Sequence, residues 1–125
     1  MPPNARRLFG TSGEDVAACF LEGKGMKILF RQKRTPVGEI DLVCLDEKII
    51  VFVEVKTRRT LRFGSPQASI TASKFRHMAA AAQVFLGERG WLARAWRLDV
   101  VGIYWPKGCV PTITHFLAVD NPAAF

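Results

Sequence analysis

Hydrophobic and polar residues follow two different spacings along this chain, and these spacings predict its helices and strands. Near the amino end, Ser12 with Asp15 three positions later is typical of a helix start. An apolar stripe at helical spacing follows: Val16, Ala17, Phe20 and Leu21. Gly23 and Gly25 then mark the end of this first helix.

Three strands are predicted after that helix. MKILFRQKR is the first, with Pro36 and Gly38 in the turn that follows it. GEIDLVCL and IIVFVEVK are the second and third. The polar connection between them is short enough for a hairpin, although the absence of an Asn-Gly pair leaves the turn type open.

The second half of the chain begins with TRRTLRFGSPQASITAS, a basic and turn-rich loop that is unusually long for a compact domain. From Ser73 onward, one helical face is apolar: Phe75, Met78, Ala79, Ala82, Phe85 and Leu86. Gly87 and Gly90 indicate the end of this second helix.

Two further strands complete the predicted order. WRLDVVGIYW is the fourth strand and TITHFLAV the fifth. The order is therefore αβββαβ with one strand more, which is typical of a small α/β fold in which helices flank a mixed sheet. The length predicts a single domain over residues 1–125, with a loose basic arm at 1–11 and a tail at 119–125.

The amino-acid composition indicates which class of molecule this protein binds. The chain has 18 Lys and Arg against 11 Asp and Glu, a formal charge of +7, which favours a polyanion such as nucleic acid. No stretch has the length of a signal peptide or a membrane span, so we expect a soluble cytoplasmic protein without a membrane partner. Cys19, Cys44 and Cys109 show no zinc-ligand spacing and are predicted to be buried, reduced thiols.

The charged residues of the predicted hairpin carry the candidate chemistry. A two-residue turn at Glu47 and Lys48 places Asp41 opposite Glu54 and Glu39 opposite Lys56. The other side of the hairpin is apolar, with these residues facing away from the acids: Ile40, Leu42, Cys44, Ile49, Val51, Val53 and Val55.

Two like charges directly opposite each other destabilise a sheet, so the pair of Asp41 and Glu54 requires an explanation. A divalent cation, Mg²⁺ or Mn²⁺, would offset the repulsion, because such ions bind one or two carboxylates together with water and phosphate oxygens. Lys56, on the same face, would then point its ammonium at a phosphate or at the attacking water. The alternative is a solvent-facing hairpin side on which Glu and Lys only increase solubility.

A family resemblance adds to this interpretation. GEIDLV, then FVEVKTR, preceded by Gly13-Glu14 on a helix, resembles the YraN-like family of small bacterial proteins in the PD-(D/E)XK nuclease superfamily. The resemblance runs from GEDVAACFL through Lys74 of the second helix to RLDVVGI. It implies a restriction-endonuclease-like core of order αβββαβ, similar to archaeal Holliday-junction resolvases.

The resemblance also implies roles for residues. Asp41 and Glu54 would be the catalytic metal ligands and Lys56 the catalytic lysine, with Ile40 in place of the proline of the superfamily motif. Glu14 would be the further catalytic acid that resolvase-type members take from the first helix. The alternative for Glu14 is an ordinary first-turn acid that complements the helix dipole.

Other polar residues receive structural interpretations. Glu39 is predicted to orient Lys56 rather than to bind metal, and Asp99 to form a buried salt bridge with an arginine such as Arg97. His77 and His115 lack the neighbours that a zinc site or a hydrolase triad needs.

A basic cluster completes the functional hypothesis. We expect six residues to hold phosphates, although solvated surface is the alternative: Arg31, Lys33, Arg34, Arg58, Arg59 and Arg62. The sequence thus favours a Mg²⁺- or Mn²⁺-dependent endonuclease acting on DNA, with branched DNA among the candidate substrates. The alternatives are a non-catalytic nucleic-acid-binding module with the same fold and, more remotely, a protein-interaction adaptor. The choice between DNA and RNA stays open, and cleavage of a junction would require two active sites and hence a homodimer.

Overall fold

A computed structural model describes residues 12–119, which form a five-stranded sheet with one long helix on each face. The elements in chain order are α1 (Gly13–Gly23), β1 (Lys27–Thr35), β2 (Gly38–Asp46), β3 (Ile49–Arg58), a short 3₁₀ helix (Gln67–Ser69), α2 (Ala72–Glu88), β4 (Trp96–Tyr104) and β5 (Thr112–Phe116). The predicted order αβββαβ with a fifth strand is confirmed. The basic arm at 1–11 and residues 120–125 of the tail lie outside the described residues.

The sheet is mixed, as predicted, and its strands lie in the order β1-β2-β3-β4-β5. The pair β3–β4 is parallel and the other three pairs are antiparallel. Parallel neighbours need a crossover connection, which here contains α2. The hairpin between β2 and β3 turns at Glu47 and Lys48, where Glu47 has a φ of 54°.

Each face of the sheet has its own apolar core. Under α1, Val16 and Leu21 pack with Val51 and Val53 of β3, which confirms the predicted apolar side of that strand. Under α2, the core contains Ile40, Val43, Ile50, Phe52, Ala82, Phe85 and Leu86. The prediction for Ile40 is therefore wrong, because it packs on the α2 side and not with Leu42 and Cys44.

Both helices begin at hydroxyl caps. The hydroxyl of Ser12 accepts a hydrogen bond from the N–H of Asp15 at 3.3 Å, as the sequence predicted. The second helix starts at Ala72, one residue before the predicted start, because Thr71 provides its cap. Among residues 12–119, no helix is both long and apolar enough to cross a membrane.

The three thiols are free but differ in environment. Cys44 is buried, and burial raises the pKa of its thiol to about 12. Cys19 is half-buried, whereas Cys109 is exposed, so the prediction of a buried thiol is wrong for Cys109. Cys109 lies in the connection between β4 and β5, outside the sheet that buries Cys44.

Asp99 is fully buried and forms the predicted salt bridge, with its Oδ1 3.0 Å from Nε of Arg97. His115 lies 2.8 Å from Oδ2 of the same carboxylate. Arg97 also reaches Asp46 at 3.0 Å, and these contacts join β2, β4 and β5. This network explains the charges at the centre of β4 and the position of His115 without a catalytic role.

Candidate functional site

Strands β2 and β3 pair in the predicted register from the hairpin turn up to Leu42 opposite Val53. The next facing positions in this register are Asp41 and Glu54, and the regular ladder stops before them. The Oδ2 atom of Asp41 instead accepts a hydrogen bond from the backbone N–H of Val55 at 2.8 Å. The carboxyl group of Asp41 is therefore fixed where the regular pairing of the two strands ends.

Asp41 and Glu54 form a close carboxyl pair in a shielded position. Glu54 is buried and Asp41 is half-buried. Burial raises the pKa of Asp41 to about 7, and the charge of Glu54 adds to the rise. Two ionised carboxylates repel each other here, so a proton or a cation would stabilise the pair.

Two lysines from different elements meet at Glu54. The Nζ atoms of Lys56 and Lys74 lie 3.5 Å and 3.0 Å from Oε1 of Glu54. Lys56 follows Glu54 on the same face of β3, whereas Lys74 lies in the first turn of α2, where the hydroxyl of Thr71 accepts its backbone N–H at 3.1 Å. Both ammonium groups thus contact the same oxygen of Glu54, which leaves its Oε2 outside these ion pairs.

The pKa values of Lys56 and Lys74 are shifted in opposite directions. Burial lowers the pKa of Lys56, and the hydrogen bond and charge of Lys74 lower it further. The pKa of Lys74 is raised, mainly by its hydrogen bond to Lys56. Lys56 is therefore the member of the pair that releases its proton more readily.

Glu14 reaches the same region from α1. Its Oε2 accepts a hydrogen bond from Nε2 of Gln32 at 3.4 Å, whereas its buried Oε1 has no hydrogen-bond partner within residues 12–119. Burial raises the pKa of Glu14, and the charge of Glu14 contributes to the raised pKa of Asp41. A buried oxygen without a partner is rare in folded proteins and is compatible with a missing ligand.

Two backbone features hold Glu14 in place. Gly13 lies so close to β3 that a Cβ atom there would be 2.0 Å from the hydroxyl oxygen of Thr57, so only glycine allows α1 to start at this position. Gln32, the donor to Glu14, has a φ of 49°, which is uncommon for a residue other than glycine. Such conformations concentrate at functional sites.

The pair opens into a cleft of about 500 Å³ between the β2–β3 hairpin and the start of α2. Asp41, Glu54 and Lys74 line it, together with His77. The Nδ1 atom of His77 lies 2.8 Å from the carbonyl oxygen of Ser73 and donates to it, which leaves Nε2 available to another group. The cleft is open enough to admit a phosphate group.

Glu39 does not orient Lys56, so that prediction is wrong. Its carboxylate lies 4.0 Å from Nε of the exposed Arg34, at the rim of the cleft. The partners of Lys56 are instead Glu54 and Lys74. The physical reason is that the regular ladder ends before Asp41, so the predicted opposition of Glu39 and Lys56 does not form.

The six predicted phosphate-binding residues fall into two groups, one on β1 and one at the end of β3. Three lie on β1, the outer neighbour of β2: Arg31, Lys33 and Arg34. Three follow Lys56 at the end of β3 and in the next loop: Arg58, Arg59 and Arg62. The first group thus lies on the strand beside β2, and the second follows Lys56 along the chain at the end of β3.

Several of these cations already have partners. Arg31 pairs with Asp15 of α1. Arg59 donates to the carbonyl oxygen of Trp105 at 3.2 Å. Arg58 continues the face of β3 that carries Glu54 and Lys56, which makes it the member of the second group nearest to the pair along that strand.

Sequence reasoning missed three residues of the site. The sequence points to Lys74 only through the family resemblance, gives His77 no role, and does not single out Gln32. One signal for Lys74 and His77 was available, because the chain has no acidic residue between Glu54 and Glu88, which leaves the start of α2 positive. The conformation of Gln32 has no comparable signal in the sequence.

The carboxyl pair fits a hard divalent cation. Carboxylate oxygens are the ligands that Mg²⁺ and Mn²⁺ prefer, and such ions complete their coordination with water and phosphate oxygens. Within residues 12–119, no group of three His, Cys, Asp or Glu side chains is arranged to hold a metal ion. Asp41 and Glu54, which both line the cleft, are the two carboxylates that would hold such an ion there.

Comparison with known sequences places these residues in one family. The profile of Uncharacterised protein family UPF0102 matches residues 13–103, which include every residue of the carboxyl and lysine cluster. A UPF0102 protein of Syntrophotalea carbinolica is 42% identical over 120 residues, covering 96% of this chain and 93% of the relative. One of Geotalea uraniireducens is 43% identical over 106 residues, covering 85% and 84%. One of Desulfosudis oleivorans is 45% identical over 98 residues, covering 78% and 80%.

Proposed function

This chain belongs to the UPF0102 family, the YraN family that its motifs resemble, and we propose that it is a metal-dependent endonuclease that hydrolyses phosphodiester bonds in DNA. One observation carries the proposal. The carboxyl pair of Asp41 and Glu54 lies where the β2–β3 ladder ends, with the lysines Lys56 and Lys74 converging on Glu54. Acids and lysines combined in an open cleft suit a phosphate bound together with a cation.

Asp41 and Glu54 would hold the cation through their free oxygens. Asp41 keeps its hydrogen bond to the backbone of Val55, which fixes one oxygen and leaves the other for the ion. When bound, Mg²⁺ or Mn²⁺ supplies positive charge that stabilises the phosphate in the transition state. The charge of Glu14 reaches Asp41, and its unpartnered oxygen would accept a hydrogen bond from a water bound near that carboxyl.

The lysines would act on the reacting phosphate. In hydrolysis, the oxygen of water bonds to phosphorus while the bond to the leaving sugar oxygen breaks, and the leaving oxygen gains a proton as the water loses one. Lys56 would donate to a phosphate oxygen on which charge develops. Lys74 would remain with Glu54, which it contacts at the shorter distance, and keep that carboxylate oriented.

Charge supports nucleic acid as the substrate. The chain carries a formal charge of +7, and basic residues lie on β1, next to β2, and at the end of β3 after Lys56. Contacts of this kind bind the phosphate backbone and do not distinguish base sequence. We therefore expect recognition by backbone and shape.

The direct test is incubation with linear, nicked, flapped and branched DNA in Mn²⁺, with an RNA of matching sequence in parallel. The wild type should cleave at least one substrate, and Asp41→Asn should cleave none. Glu47→Gln, which removes an exposed acid in the turn of the same hairpin, is the matched control and should cleave like the wild type. Binding without cleavage by the wild type would favour a non-catalytic module, and equal cleavage by Asp41→Asn would contradict the proposed site.

A further inference from the structure

The loop between β3 and α2 presents an exposed aromatic ring. The side chain of Phe63 is 75% exposed, more than any other large apolar side chain within residues 12–119. Leu61, two residues earlier, is 52% exposed. The guanidinium of Arg62 lies 5.7 Å from the centre of the Phe63 ring, so the loop combines apolar surface with positive charge. Packing within the fold does not explain this exposure.

The loop is supported on both sides of that ring. On one side, the guanidinium of Arg59 donates to the carbonyl oxygen of Trp105 at 3.2 Å and lies 5.1 Å from its indole ring. On the other side, Pro66 is buried and packs over Gly102 of β4, where a Cβ atom would lie 3.5 Å from Pro66. Between them, Gly64 adopts a φ of 100° in a tight turn. The ring is thus presented from a fixed base, which reduces the ordering cost of binding.

The base of the loop lies next to the candidate site. Gly102 is the partner of Lys56 in the parallel β3–β4 pairing, so Pro66 packs beside the position of that lysine. Phe63 is three residues from Pro66, and three residues span at most about 11 Å. Because neighbouring nucleotides of one strand are separated by about 3.4 Å along a duplex axis, the ring is within a few nucleotides of a phosphate held at Lys56.

From this arrangement we propose that Phe63 stacks against an unpaired base of the strand that enters the cleft, while Arg58 and Arg62 bind neighbouring phosphates. The inference rests on the proposed nuclease function and specifies its substrate. Aromatic rings stack on unpaired bases, whereas the faces of bases inside a duplex are already covered. The enzyme would therefore prefer nucleic acid in which unpaired bases adjoin a duplex, such as a flap or a gap.

Charge decides between the possible occupants of this surface. The chain has no acidic residue between Glu54 and Glu88, so the loop offers a partner only positive charge and apolar surface. A second copy of the chain, with its own charge of +7, would be repelled at long range. A strand with phosphates and exposed bases matches both features.

The test measures binding in metal-free buffer by fluorescence anisotropy, with a duplex and with the same duplex carrying a single-stranded flap. Phe63→Ala should weaken flap binding by roughly 5-fold to 150-fold, since stacking of one base is worth about 1 to 3 kcal/mol. Duplex binding should change less than about twofold, and Phe63→Trp should restore flap binding. The matched control is Leu92→Ala, which removes an apolar side chain that is 62% exposed beyond the other end of α2.

A base analogue provides the second readout. The fluorescence of 2-aminopurine placed in the flap near the junction should be quenched by the wild type and not by Phe63→Ala. If the wild type cleaves DNA but Phe63→Ala binds the flap as tightly as the wild type does, the stacking role is wrong. The same conclusion follows if Phe63→Ala loses flap and duplex binding equally. Either result leaves the proposed nuclease function intact. A change from dimer to monomer in sedimentation, with DNA binding intact, would instead assign the ring to self-association. Failure of the parent protein to bind any nucleic acid would overturn the proposed function itself.

Discussion

The carboxylate of Asp41 accepts the backbone N–H of Val55 at 2.8 Å, immediately beyond the last regular pair of the β2–β3 ladder. The N–H of Val55 thus donates to the side chain of Asp41 and not to a backbone carbonyl of β2. This hydrogen bond fixes Asp41 beside Glu54 and also allows a cleft to open between the hairpin and α2. The candidate site therefore lies at the point where the regular pairing of β2 and β3 ends.

The first prediction concerns metal binding and stability. Mn²⁺ should raise the melting temperature of the wild type by several degrees, because the ion relieves carboxylate repulsion only in the folded state. Asp41→Asn should remove this gain and raise the metal-free stability by about 1 kcal/mol or more, since the amide oxygen still accepts the N–H of Val55 without a charge. Calorimetry measures both effects, and an equal metal-dependent gain in the two proteins would exclude Asp41 as a ligand.

The second prediction is a pH dependence that follows from the pKa of Asp41. Its carboxyl has an ordinary pKa of 3.8, which the fold raises to about 7. Between these values the folded protein holds a proton that the unfolded chain has lost, so the free energy of unfolding should fall as the pH rises, until the loss is complete above about pH 7. Urea titrations of the wild type and Asp41→Asn, without metal, should show this decline only in the wild type. A parallel pH profile in both would show that Asp41 is not the group responsible.

The third prediction tests the approach of α1 to β3. Gly13→Ala should cost about 1 to 3 kcal/mol of stability and displace Glu14, because the new Cβ would lie 2.0 Å from the hydroxyl oxygen of Thr57. Thr57→Ala in the same chain should restore part of the loss. Gly23→Ala, at the other end of α1 with open space around it, is the control and should be neutral. A neutral Gly13→Ala, or a lack of rescue, would contradict this packing.

The fourth prediction concerns the basic groups. The affinity for DNA should fall with salt at a log-log slope of roughly −4 to −6, if about five to seven phosphates are neutralised. Arg58→Ala with Arg59→Ala should flatten the slope. Arg94→Ala, an exposed arginine beyond the carboxyl end of α2, should leave it unchanged. A slope that does not respond to the double substitution would remove these arginines from the interface.

The sequence predicted the parts of this site that depend on strand register. Because side chains alternate along a strand, the charges in GEIDLV and FVEVKTR predict Asp41 opposite Glu54 and Lys56 on the same face as Glu54. Regular pairing reaches Leu42 and Val53, and the side chains of Asp41 and Glu54 interact just beyond it. The same reasoning failed for Glu39, since it assumed that regular pairing continues past Leu42 and Val53. The alternation of side chains along two strands does not predict where their pairing ends, because that depends on the tertiary structure.

The site residues that the sequence did not predict are brought to the site by tertiary packing. Lys74 reaches Glu54 because α2 begins at Ala72, directly after its cap Thr71, which puts Lys74 in the first turn of the helix. Gln32 reaches Glu14 through a positive φ in β1, a strand that also has an irregular register between Ile28 and Phe30. The residue preferences in β1 predict an ordinary extended strand, so they indicate neither the positive φ of Gln32 nor the irregular register.

The most direct test of the nuclease proposal is single-turnover cleavage by Lys56→Met, which keeps most of the alkyl stem and removes the ammonium. Its matched control is Lys48→Met, at the exposed turn of the same hairpin. We predict that Lys56→Met binds DNA within about tenfold of the wild type, because one phosphate contact among several is worth about 1 kcal/mol, yet cleaves at least about a hundredfold more slowly. Lys48→Met should match the wild type in both respects. Equal cleavage rates for Lys56→Met and the wild type would contradict the proposed active site.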